Sequence, residues 1–560
     1  MKLMLFCFLV YSMSIFPQTN QSLQKLSKEF FEWRTITQPV TGDDIPRIER
    51  PDGWIPDYSP SSLKNNENKY IEFSSKLRKI QKENLTRTDS VDYLLLHSAI
   101  ERVNWELNIL KLPYSHPEFY VSQTAGIIHD LLIISSPMTK IRAANIIIRL
   151  KSIPSTLNNA EENLREPVQA FADIAIEMLD GIDKNLKTSF TALNKDFPGY
   201  FTTGTDIYVN KAINAFNKYL NWLKNRRNSM TNKFNVGRKN YEYFLKNIAL
   251  VPYSPEDLLL MSKTEWNRAV AFDAIEKLKD KNIPPLKIFS SIEEQIKQNK
   301  LDEESIRKFL VDKNVMSVPH WVQHYTNRSI PDYLKPITRY GENDDFTSPT
   351  RLNENCVRYI PNPSPNLSYF SLATAKDPQP IIIHEGVPGH YFQLVQSWRN
   401  PDIIRRHYFD SNSNEGIGFY VEELMLQLGL FDSSPHSKEI IYSFMRLRAL
   451  RVNVDVNLAL GKYLIKDAAN YLASTVPMDK QSATGEASFF ASTPGQAITY
   501  QIGKIQILNL ISDAKIKLGN KFSLKDYHNY MMINGNVPIA LQRWEYLGLK
   551  DEINKLWPKN

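Results

Sequence analysis

The chain has 560 residues, 42% of them hydrophobic, enough to bury an extensive core in one large body or in two lobes. Its 68 lysines and arginines stand against 61 aspartates and glutamates, a net charge of +7; this balance is too mild and too interspersed for a nucleic-acid partner, and no basic stripe with interleaved aromatics occurs. Two cysteines, Cys7 and Cys356, exclude a disulfide framework, and without a glycine-rich phosphate loop a nucleotide cofactor has no support.

Met1-Lys2 precedes an apolar run from Leu3 to Phe16 and then polar residues from Gln18. This reads as a secretory signal peptide over residues 1–18, too short for a membrane span. The expectation is export to the periplasm or the outside, with no stable membrane span after cleavage. Cys7 lies inside the apolar run and not behind a lipobox, which argues against a lipid anchor. The alternative is an N-terminal anchor that stays attached.

An amphipathic helix is expected from Ser22 to Trp33, then an extended, proline-marked connection from Pro39 to Pro60. Apolar residues at three-to-four spacing predict helices over Leu63–Glu83, Ser90–Leu110, Pro137–Ile153, Asn158–Phe190, Thr205–Asn225 and Gly237–Ala249. Ser254-Pro255-Glu256-Asp257 has the form of a capping box before a helix carrying Leu258 to Lys279. Residues 19–330 are read as a helical N-terminal lobe that walls the site. Tyr219 and Trp222, three apart, share one helix face and are expected in the core, with ligand stacking as the alternative. His320 and His324 have helical spacing but no adjacent glutamate, and Pro319 disfavours a helix there. The composition shifts between Ser329 and Pro380, with proline, asparagine and serine clustered from Asn353 to Pro365, and Tyr369–Ala373 reads as a short strand. The second lobe is placed at 331–560.

The stretch His384-Glu385-Gly386-Val387-Pro388-Gly389-His390 holds two histidines and a carboxylate at a spacing suited to metal chemistry. A zinc hydrolase needs three protein ligands, an open fourth position and a carboxylate to accept a proton from water. Histidines four apart share a helix face, but six residues turn about 600° and leave two imidazoles roughly 120° apart. The spacing therefore predicts a distorted helix, with Pro388-Gly389 as the break. A third ligand is available downstream, where Ser413 or Asn414 caps a helix and Glu415 falls in its first turn. Glu422, seven residues on, returns to nearly the same face and is the rival, or else a supporting carboxylate.

His-Glu-x-x-Pro-Gly-His followed by Asn414-Glu415-Gly416-x-x-x-Tyr420-x-Glu422 resembles the family catalogued as domain of unknown function 885, placed among the gluzincin zinc metallopeptidases. The likeness continues through Arg448-Ala449-Leu450-Arg451 to Asp455, through Pro494-Gly495-Gln496-Ala497 to Tyr500 and Gly503, and through Tyr527-His528 to Gly535 and Pro538. Ala459 stands where the family has histidine, and Ile417 where it has tryptophan. The resemblance implies a mainly α, large helical metallopeptidase-like fold with a small β element beside the zinc-binding helix. It also makes Tyr369–Ala373 the candidate strand for aligning a peptide.

On this reading zinc is held by His384, His390 and Glu415, and Glu385 is the general base for hydrolysis of a peptide or related amide. Tyr500 is the candidate electrophile for the developing oxyanion, or a core tyrosine. Asp455 either pairs with Arg451 or orients a ligand histidine, and His528 is a candidate substitute for the histidine missing at Ala459. The reading from another class is a non-catalytic exported scaffold that binds peptide or cell-wall fragments and keeps a structural zinc. An amidase acting on a non-peptide amide is a third.

Overall fold

The structure, a computed structural model, describes residues 20–41, 47–476 and 478–557, so the expected signal peptide lies outside it. Helix accounts for 68% of the described residues and strand for 3%, a mainly α fold. Local chemistry sets the helix starts: Asn20 accepts from Leu23 N, and Ser254 and Asp257 cap one another's backbone N–H groups at 3.1 and 3.0 Å as a capping box. The Tyr219 and Trp222 rings stack at 6.0 Å, and the buried Tyr219 hydroxyl donates to Pro117 O, a core role.

Several boundaries differ from the sequence reading for identifiable reasons. The helix expected to stop before Pro154 runs on from Lys140 to Asn163, because Leu157 and Ala160 bury on the same face. The helix expected over 158–190 is instead split into Gln169–Met178 and Ile182–Asp196 after that one ends, with Gly181 at φ 68° between the two. A helix at Ile292–Asp312, started by Ser291, was not expected. The long helix expected over His436–Lys466 runs instead from Pro435 to Ala459, with Gly461 at φ 72° just beyond its end.

Tyr369–Ala373 is not a strand. Tyr369–Thr374 is a helical turn, whose two aromatic rings pack against Phe444 at 5.9 and 5.3 Å; a short apolar run of this kind fits either period. The sheet beside the site is built from β1 (Tyr325–Ser329), β2 (Asp344–Asp345) and β3 (Cys356–Ile360), in the order β1-β3-β2, with β1 parallel and β2 antiparallel to β3.

Each apolar core among the described residues draws side chains from both sides of residue 330. One joins Ile306, Leu310 and Tyr325 to Ile382, Phe392 and Ile417, and another joins Trp105 and Tyr241 to Val452 and Ile498. Packing is thus continuous across the expected lobe boundary. No helix among the described residues is long and apolar enough to cross a membrane.

Candidate metal centre

The segment carrying both histidines is interrupted where the sequence places the break. Gln379–Ile381 is helical, Ile382–Gly386 widens into a π turn, Val387–Gly389 leaves the helix, and His390–Ser397 resumes it. The Val387 N–H donates back to Ile382 O at 2.9 Å. Gly389 passes so close to the preceding turn that a Cβ would lie 1.8 Å from His384 O, so only glycine fits. The excursion absorbs the surplus residues and brings the two imidazoles to a centroid separation of 4.6 Å at 78°.

Glu415 comes from the helix Ser411–Gln427, capped by Asp410, which accepts from Ser413 N at 2.8 Å. Since the helix starts before Ser413, Glu415 lies in its second turn and not its first. Its Oε2 is 3.4 Å from His384 Nε2 and 3.3 Å from His390 Nε2. Two atoms at about 2.0–2.1 Å from a tetrahedral zinc lie roughly 3.3–3.4 Å apart, so the donor set and its spacing fit that ion. Gly418 makes room one turn on, where a Cβ would come within 2.8 Å of the His390 ring and 3.0 Å of the His384 ring.

Glu422, two turns from Glu415, sits 2.7 Å from the other nitrogen of His384, Nδ1. It is placed to hold the His384 ring by Nδ1 while Nε2 faces Glu415. Arg448 in turn lies 3.1 Å from Glu422, its guanidinium about 5 to 6 Å from the rings of Phe419, Phe444 and Tyr500. Burial lowers the His384 pKa, but hydrogen bonds to Glu415 and Glu422 outweigh it and push the value up to about 9. A positive charge on this ring is thus favoured between the two carboxylates.

Glu385 faces the cavity with a fifth of its side chain exposed, and its Oε1 is 3.8 Å from Arg358 on β3. Arg358 is also paired with Asp344 on β2, whose other oxygen accepts from Tyr325 OH at 2.8 Å. Gly386 lets the motif lie against β1, since a Cβ there would be 2.6 Å from the Tyr325 ring. This Asp344–Arg358 support was missed in the sequence, where nothing links residues so far from the motif. The Tyr500 ring stacks on His384 at 6.2 Å and 14°, with the Arg451 guanidinium 4.8 Å from its centroid.

Other sequence candidates resolve differently. Asp455 neither pairs with Arg451 nor reaches a ligand histidine. It accepts from Gly495 N (2.9 Å), Ala497 N (2.7 Å) and Tyr241 OH (3.1 Å), pinning the turn before Tyr500, while Arg451 pairs with Glu486. His528 is buried between Val315 O and Tyr420 OH, 2.8 Å from each, and does not line the cavity. Ala459 packs in an apolar cluster with Tyr241, Val456 and Ile498 and does not line the cavity. His324 bonds Glu303 at 2.8 Å and His320 is exposed. A second His/carboxylate group, Asp280, His436 and Glu439, has both imidazole nitrogens engaged, Nδ1 by Glu439 at 2.9 Å and Nε2 by Ile283 O at 3.0 Å.

His384, Glu385, His390, Glu415 and Tyr500 together line a cavity of about 1370 Å³. The model of a family described as bacterial protein of unknown function, DUF885, matches residues 40–544. No curated protein matches the chain. Among solved structures, a protein of Shewanella oneidensis described as a candidate lipoprotein of unknown function superposes with TM-score 0.69 at 16% identity, covering 94% of this chain and 99% of that one. A candidate lipoprotein of Colwellia psychrerythraea superposes with TM-score 0.70 at 18% identity, covering 96% and 98%. At such identities the likeness establishes the fold alone.

Proposed function

The chain belongs to the DUF885 family of bacterial proteins, and from that premise and the cluster geometry we propose that it is an exported zinc-dependent hydrolase of the gluzincin type, cleaving peptide or related amide bonds. One observation carries the reading: the Glu415 carboxylate lies 3.3–3.4 Å from each of two imidazoles, with the carboxylate of Glu385 next to them in the same cavity.

His384, His390 and Glu415 would hold the ion, and zinc in such a site acidifies water and polarises a carbonyl. Glu385 accepts the proton from the attacking water and passes it to the leaving amine. Arg358, tied to Asp344, keeps that carboxylate turned toward the cavity. Glu422 holds the His384 ring by Nδ1, and Tyr500 donates to the oxyanion that forms as the carbonyl becomes tetrahedral. Export is supported by the apolar run Leu3–Phe16, and the two solved relatives, as candidate lipoproteins, agree with a place outside the cytoplasm.

The scaffold reading is weaker on a specific point: a structural zinc closes its fourth position and has no use for a carboxylate such as Glu385 beside it. The test is Glu385→Gln. Zinc content near one per chain should persist while hydrolysis of a mixed peptide library falls by about 10²–10⁴; a zinc-loaded variant with undiminished turnover excludes the assignment. His390→Ala should lose zinc and hydrolysis together.

A further inference from the structure

Among the described residues, nine arginines line the cavity that holds His384 and Glu385, and seven of them are accounted for. Five pair with carboxylates, Arg358 with Asp344 and Arg448 with Glu422 among them. Arg339 donates to backbone carbonyls, and Arg102 is engaged as well. Arg50 and Arg149 are left, and both lie against one indole.

Arg149, on the helix Lys140–Asn163, is 5% exposed; its Nε has no partner, and no carboxylate among the described residues pairs with its guanidinium. Its Cζ lies 5.1 Å from the centroid of the Trp54 ring, and that of Arg50 lies 4.3 Å from the same centroid. The ring is held in place, since Trp54 Nε1 donates to Ile36 O at 2.9 Å. Arg50 is held by the backbone, donating to Thr35 O and Gln38 O, and no carboxylate among the described residues pairs with it either. Burial pulls both guanidinium groups down to about 10, and the field of Asp130 offsets this only in part. Asp130 itself points to His129 Nδ1 at 4.0 Å, and Asp52 on the same wall accepts from Asn145 at 2.9 Å. A buried guanidinium is costly until an anion meets it, and its planar fork matches a carboxylate bidentately.

Resting on the hydrolase reading above, we propose that Arg149, with Arg50 beside it on Trp54, is a subsite for a carboxylate of the substrate. The favoured ligand is a peptide that brings an anionic group to this wall of the cavity, either its free terminal carboxylate or an acidic side chain. A few placed polar groups are enough to fix how a ligand lies in such a cavity.

The experiment uses the zinc-loaded Glu385→Gln chain, so that binding is read without turnover, and short peptides in two matched pairs. One pair ends in a free carboxylate or in its carboxamide; the other, with its end amidated, carries glutamate or glutamine. Calorimetric titration should show the anionic member bound about 10–100-fold more tightly in at least one pair, as a hydrogen bond to a buried charge provides. Discrimination in the first pair assigns the terminal carboxylate, and in the second the side chain. Added to this chain, Arg149→Gln should bring the ratio close to one. Arg149→Lys, which keeps the charge and loses the fork, should leave an intermediate ratio, and it serves if the glutamine variant does not fold. Equal affinity within both pairs, or a ratio untouched by either Arg149 variant, overturns the subsite. A wild-type chain that holds zinc and cleaves nothing, while the ratio persists in the binding series, overturns the hydrolase reading and leaves the subsite standing.

Discussion

Glu415 and Glu422 look like competitors for one metal when only the sequence is in view, yet seven residues along a helix put both on one face. The His384 ring bridges them, Nε2 toward Glu415 and Nδ1 toward Glu422. The two roles differ because the imidazole has two nitrogens, and in the proposed zinc site one would face the ion while the other is held. Both carboxylates are almost fully buried, and Glu422 has Arg448 as counter-charge. Replacing Glu422 by alanine would strand Arg448, a loss of roughly 3–5 kcal/mol for a broken buried pair. Glu422→Gln keeps an acceptor of the same shape, so the chain should fold. Its zinc affinity, titrated against a competing chelator, should fall about 10–100-fold; unchanged affinity would show that Glu422 does not act through His384.

At the scale of elements, the site depends on how closely the helix Ser411–Gln427 approaches Thr499–Leu518. They meet glycine to glycine: a Cβ on Gly503 would lie 2.1 Å from Asn412 O and 2.6 Å from the Gly416 Cα. Gly503→Ala should therefore destabilise the chain by about 1–3 kcal/mol, as overpacking does, and shift the helix that carries Glu415 and Glu422. Urea midpoints and zinc affinity should fall together. Gly485→Ala, inside the helix Lys480–Ser492 with nothing within 4 Å of the added atom, is the contrast, expected to gain about 0.5–1 kcal/mol and leave zinc affinity alone. Equal effects of the two would remove the crossing as the explanation. How much of this was legible follows from the range of the interactions. The broken helix at Pro388-Gly389 could be read because spacing and backbone chemistry are local, and so could the capping box at Ser254. The Ser411–Gln427 start was missed by a few residues because Asp410, Ser413 and Asn414 are all competent caps, and only the fold selects Asp410. Tyr369–Thr374 could not be assigned from six residues whose pattern suits a strand or a turn of helix. Asp455 was misread because its partners, Gly495 and Ala497, are forty residues away, and Arg358 escaped notice because its link to Glu385 exists only once β3 lies beside the motif.

For the whole molecule, the cavity exists because early and late parts of the chain share their cores. The wall from the first half is not a separable cover: removing residues before 331 would strip Ile306, Leu310, Val315, Val322 and Tyr325 from the core that supports Ile382, Phe392 and Ile417. At about 1.5–3 kcal/mol for each large apolar side chain, re-exposing the facing surfaces forfeits roughly 8–15 kcal/mol. That equals the entire net stability of a typical folded protein, about 5–15 kcal/mol. Losses in the other shared cores add to it, since Trp105 and Tyr241 also pack on Val452 and Ile498. A chain of residues 331–560 still contains His384, Glu385, His390, Glu415 and Tyr500, so a self-sufficient catalytic lobe would bind zinc and melt cooperatively. The shared cores predict the opposite: helical circular dichroism without a sharp thermal transition, strong binding of a hydrophobic dye, and zinc affinity far below that of the full chain. A cooperative transition together with one tightly held zinc would instead mean that the contacts across residue 330 are dispensable, and that the first half acts only to wall the cavity.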